Sequence, residues 1–73
     1  MNRIFIRGLS LPVKIKGVTV VDEESDYNVY INTRLSAATQ QKTVKHEMTH
    51  ILREHFYDNE PVVYNELEAN AGA

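Results

Sequence analysis

The sequence predicts an α+β fold in a single domain spanning 1–73: a small antiparallel sheet of two to three strands, then a helix over about 36–56 and a second over about 61–71. Three observations lead there. Apolar and β-branched residues alternate through the first half. The stretch "AATQQKTVKHEMTHILREHF" contains no glycine or proline. Pro61 then opens a further run and suits the first turn of a new helix.

Taken in order, Ile4 to Ile6 is a short β-rich run, and "LSLPVKIKG" places Leu9, Leu11, Val13 and Ile15 on alternate positions. Pro12 cannot donate to a ladder, so this second stretch reads as an edge strand or an extended loop, ended by Gly17. Val18 to Asp22 and Tyr27 to Asn32 read as a hairpin joined by the acidic turn Glu23 to Asp26. In its second strand Tyr27, Val29 and Ile31 share one face, and Asn28, Tyr30 and Asn32 the other. Ser36 is the expected N-cap of the first helix, which should run to about Phe56. "YDNE" supplies a loop before the second helix, from Val62 to about Asn70.

A chain of 73 residues is near the size at which a hydrophobic core alone is marginal. It contains no cysteine, which excludes a disulfide staple and a cysteine-based zinc finger but leaves room for a histidine and carboxylate metal site. With 42% hydrophobic and 25% charged residues the composition is that of a globular domain. The net charge of -2 argues against direct nucleic-acid binding. "MNRIFIRG" has three consecutive apolar residues before Arg7, far short of a signal-peptide core or membrane span, so a cytoplasmic location is expected.

The chemistry concentrates in "KHEMTHI". Residues four apart on a helix stack on nearly one face, so His46 and His50 converge and can fill two corners of a tetrahedral zinc site. Glu47, turned about 100° from His46, is offset from the metal and suits a general base. Val44, Met48, Ile51 and Leu52 form the apolar stripe, and the histidines fall roughly opposite it, beside Thr39 and Thr43. The plainer reading is the solvated polar face of an ordinary helix. A third ligand is expected from "YNELEAN", where Glu66 and Asn70 are stacked on the second helix: Glu66 would bind zinc, and Asn70 would accept an N–H from a ligating histidine. Glu68 is turned about 200° from Glu66 and cannot share the metal. His55 lacks the spacing of a metzincin ligand and reads as a helix-end residue. Asp58 and Glu60 are weaker ligand candidates in the loop. Tyr57 and Tyr64 flank the expected cleft, where packing suits them better than oxyanion stabilisation.

The combination of H-E-x-x-H with a later E-x-x-A-N resembles the ImmA/IrrE-type metallopeptidases, a gluzincin-like family. "LPVKIKGVTVVDEESDYNVYINTRLSAATQQKTVKHEMTHIL" is similar to that family's hairpin, its "IN-x-x-L-S" passage and its active-site helix, and "NELEANAGA" to its ligand-bearing helix. The likeness covers most of the chain from about Leu11. It implies one zinc ion held by His46, His50 and Glu66, Glu47 as general base, and Asn70 bonded to a ligating histidine. Members are typically bacterial or phage-related, and several act on helix-turn-helix repressors, which implies a protein or peptide substrate. Two departures stand out. Members usually continue past E-A-N with a phenylalanine and a longer apolar helix, where Ala71, Gly72 and Ala73 follow here, and the glycine of H-E-L-G-H is Thr49.

The leading expectation is therefore a zinc-dependent endopeptidase, its substrate lying extended along a sheet edge at the Tyr27 to Asn32 strand. The alternative is a zinc-stapled binding or regulatory module that cleaves nothing, in which metal ties the two helices together. A metal-free α+β domain is the third reading.

Overall fold

The computed structural model describes residues 3–55 and 61–67, with helix side chains described as far as Arg53. Four strands and one helix follow in the order β1 (Arg3–Leu9), β2 (Gly17–Val21), β3 (Tyr27–Asn32), α1 (Ala37–His55) and β4 (Val62–Asn65). The sheet order is β2-β3-β1-β4. β3 runs antiparallel to β2, while β1 is parallel to both β3 and β4.

This corrects the expected fold in two respects. The sheet is mixed and four-stranded, not antiparallel with two or three strands, because β3 inserts between β2 and β1. The chain leaving β1 passes over that slot in the 10–16 loop and enters β2 beyond it. The expected ligand-bearing helix over 61–71 is also overturned, since Val62–Asn65 is a strand hydrogen-bonded to β1. Pro61 had suggested a helix start, but Val62, Val63 and Tyr64 are β-branched or aromatic and favour an extended chain where an open strand edge is at hand. Tyr64 stacks on Phe5 of β1 with ring centroids 5.2 Å apart. The expected hairpin of Val18–Asp22 with Tyr27–Asn32 is present as β2 and β3, but β3 is an interior strand, so the edge expected there belongs to β2.

Alternation sorts the sheet into two faces. Ile4, Ile6, Val29 and Ile31 point to the side covered by α1 and are essentially inaccessible to water, joined by Tyr27, Ile51 and Leu67. Each such aliphatic side chain contributes about 1.5–3 kcal/mol relative to exposure. The other face carries Phe5, Val18, Val20 and Tyr64, and the last three are exposed.

Asn32, at the end of β3, is fully buried and fully hydrogen-bonded. Its Oδ1 accepts from the amides of Leu11 (3.1 Å) and Arg34 (3.0 Å), and its Nδ2 donates to the carbonyls of Pro12 (3.1 Å) and Ile15 (2.8 Å). One side chain thus ties the 10–16 loop to the turn that leads into α1. That helix begins as expected: Ser36 Oγ accepts from the Thr39 amide at 3.2 Å, the bond of an N-cap.

At the other end of the hairpin, Asp22 Oδ1 accepts from the amides of Glu24 and Asp26. This holds a turn in which Ser25 adopts a positive φ of 64°. Asp26 is buried, and it accepts the Arg3 amide at 2.8 Å and the Arg3 guanidinium at 2.8 Å, joining the start of β1 to the start of β3. The hydrogen bond from Arg3 is the main reason the Asp26 carboxyl titrates below its ordinary value. Asp22 is lowered too, chiefly by the Asn28 side chain.

Asn32→Ala strands several buried polar groups and should cost roughly 3 kcal/mol in chemical denaturation; a cost within ~0.5 kcal/mol would show that the loop does not depend on it. Asp26 has a depressed folded pKa, so its contribution is complete above the unfolded value of about 4 and fades as pH falls through the folded one. Asp26→Asn should therefore lower the thermal midpoint at neutral pH, with the gap to the unsubstituted protein closing in acid. A gap that stays constant into acid would contradict this.

Candidate functional site

α1 lies across β2 and β3, and its rotation differs from the expected apolar stripe. Val44, Met48 and Ile51 meet the core as expected, but Leu52 is 37% exposed, and Gln40 and Thr43 are buried instead. The reason lies on β2. Gly17 has no side chain, and a Cβ there would stand 3.1 Å from Thr43 Cγ2 and 3.0 Å from the Tyr30 carbonyl. The glycine lets the helix settle close to the strand, with the Thr43 hydroxyl satisfied by donating to the Thr39 carbonyl at 2.8 Å. This rotation also turns Glu47 inward, where it is half-buried, and Thr19 Oγ1 of β2 donates to its Oε2 at 3.1 Å.

His46 and His50 are both exposed, and they converge as the spacing predicts. Their Nε2 atoms stand 3.1 Å apart, with the rings nearly perpendicular at 84°. Two nitrogens each about 2.0–2.1 Å from a tetrahedral zinc lie about 3.3 Å from one another, so the pair fits two corners of such a site with little adjustment. Beside it runs an open groove of about 740 Å³. One wall is Lys14, Lys16 and Gly17; the other is Thr39, Lys42, Thr43, His46 and Glu47.

Glu66 is not brought to this pair. It follows β4, at the far edge of the sheet from β2, three strand spacings or about 14 Å away across the sheet. Its amide donates to the Ile6 carbonyl at 2.8 Å, and its Oε2 accepts from Arg7 Nε at 2.9 Å. Arg7 in turn packs over Phe5, on the face turned away from α1. Glu66 borders a separate depression of about 310 Å³ with Arg7, Gly8 and Thr33. Among the described residues no group of three or more histidine, cysteine, aspartate or glutamate side chains could hold a metal ion. Asn70, Tyr57, Asp58, Glu60 and Glu68 lie outside the described residues, as does the side chain of His55. Tyr64 does not flank the groove but stacks on Phe5.

Sequence reasoning missed Thr19, Gly17 and the lysines. The first two were readable, because alternation in the hairpin sets Gly17 and Thr19 on one face, opposite Ile31 and Val29. No local signal joins Lys42 to Lys14 and Lys16, which only the fold brings together.

Comparison with protein-family models, with curated proteins and with solved structures finds no match to this chain. The site is therefore read from its own chemistry. In a zinc titration, His50→Ala should weaken binding at least tenfold and Glu47→Gln only slightly, since the carboxylate is turned toward Thr19. Equal affinity of His50→Ala and the unsubstituted protein would remove the histidine pair from the site.

Proposed function

We propose that the chain is a zinc-dependent endopeptidase of the ImmA/IrrE type, acting on extended protein or peptide substrates. The observation that carries the reading is Glu47: a half-buried carboxylate at the wall of an open groove, beside two convergent histidines and held by Thr19. His46 and His50 would hold zinc, which would supply Lewis-acid chemistry at the scissile carbonyl and the attacking water. Glu47 takes the proton from that water and passes it to the leaving amine. Thr19 keeps one carboxylate oxygen fixed during this exchange. Among the described residues β2 ends the sheet on this side, so its edge offers amides and carbonyls to an extended peptide, which would lie along the groove as an added strand.

The resemblance assigns Glu66 as third ligand and a helix-turn-helix repressor as substrate. For Glu66 to reach the histidines, it must leave Arg7, and β4 must leave the edge of β1. The second reading, a zinc-binding module without cleavage, loses the expected tie between two helices, because Val62–Asn65 is a strand and Glu66 pairs with Arg7. No helix among the described residues is long and apolar enough to cross a membrane, and a cytoplasmic setting is part of the proposal.

Cleavage and zinc affinity separate the two readings. On the peptidase reading Glu47→Gln keeps zinc but loses cleavage of an extended reporter by about a hundredfold or more, and Glu66→Gln weakens zinc about tenfold or more. Zinc binding with no cleavage by the unsubstituted protein would leave the second reading, and an unchanged affinity in Glu66→Gln would take that residue out of the ligand set.

A further inference from the structure

The groove beside Glu47 is basic in a chain that is acidic overall. The sequence contains four lysines, and three of them, Lys14, Lys16 and Lys42, line this one groove. Among the described residues its only acidic lining residue is Glu47. All three lysines are exposed, and among the described residues none is in an ion pair; the salt bridges belong to Arg3 and Arg7. Lys42 sits one helical turn before His46, hence on the same face. Lys14 and Lys16 come from the loop on the opposite wall, which Asn32 fixes through Pro12 and Ile15. The cations are thus gathered from segments distant in sequence onto two sides of one cleft, while the net charge of the chain is -2. Uncompensated charge of one sign lining a cleft focuses its field and draws in the opposite charge.

We infer that the groove selects acidic peptide segments, with Lys14, Lys16 and Lys42 as the residues that set this preference. The inference rests on the reading of the groove as a substrate site. It adds the substrate class: a chain segment carrying aspartate or glutamate beside the lysines, displaced from the position that faces Glu47. The charge is also graded along the β2 edge. The lysines stand at its Gly17 end, and Glu23 and Glu24 at its Val21 end. The acidic residues of the bound segment therefore belong on the Gly17 side.

The test uses the full chain with zinc and two labelled peptides of one extended sequence, one with aspartate and glutamate and one with asparagine and glutamine in their places. Binding is followed by fluorescence anisotropy and cleavage by mass spectrometry. The unsubstituted protein should bind the acidic peptide about threefold to tenfold tighter at low ionic strength. That advantage should shrink once the Debye length falls below about 10 Å. The triple variant Lys14→Gln, Lys16→Gln, Lys42→Gln should lose it, and Arg34→Gln with Arg53→Gln, a charge change away from the groove, should keep it. Circular dichroism checks the fold, and if the triple variant does not fold, Lys42→Gln alone should lower the preference measurably. Equal binding of the two peptides, or a preference that survives removal of the lysines, overturns the inference. Preferential binding of the acidic peptide with neither peptide cut would sink the peptidase reading and keep this one; equal binding with equal cutting does the reverse.

Discussion

The Asn32 carboxamide is the constraint from which the groove takes its shape. It sits at the end of an interior strand and satisfies four backbone groups, two of them carbonyls of the 10–16 loop and one the amide of Arg34. Loops are ordinarily the most variable part of a fold, because few buried contacts hold them. Here one buried side chain holds both the wall that carries Lys14 and Lys16 and the turn from which α1 starts. A glutamine or aspartate at this position would keep some of these bonds but not all, since only a carboxamide of this length offers two donors and an acceptor at that reach.

What the sequence made legible was local. The Ser36 cap, the hairpin and the convergence of His46 with His50 all depend on spacings of a few residues, where propensity and periodicity act directly. What it hid was set by pairing between distant segments. Nothing near Tyr27 announces that Ile4 will lie beside it in a parallel register, and nothing near Pro61 announces the open edge of β1 that drew Val62 to Asn65 into a strand. The same holds for Asp26, whose burial depends on Arg3, twenty-three residues away.

The candidate site divides along this line. Glu47 and the two histidines are written in one pentapeptide, and the helix delivers them together whatever the rest of the fold does. A third ligand must come from another element, and its position depends on topology. Pro61 placed Glu66 on a helix, stacked with Asn70, whereas a strand sends it to Arg7 on the far face of the sheet. Thr19 and Gly17 occupy the middle ground. Strand alternation puts them on the helix side, but only the closeness of α1 to β2 gives Thr19 a carboxylate to hold.

The arrangement of the strands also bears on how this chain reaches its fold. β1 is the earliest strand in the sequence and yet lies inside the sheet, with β3 on one side and β4 on the other. Both of its neighbours are parallel to it and come from later in the chain, so its pairing closes long loops before any contact compensates for the lost entropy. During synthesis the hairpin and α1 can form early and β1 can pair with β3, while the other edge of β1, along Arg3 to Ile6, waits unpaired. Until Val62 to Asn65 have emerged, the nascent chain presents an apolar strand with free backbone groups, which is the state in which chaperones and neighbouring chains compete with folding.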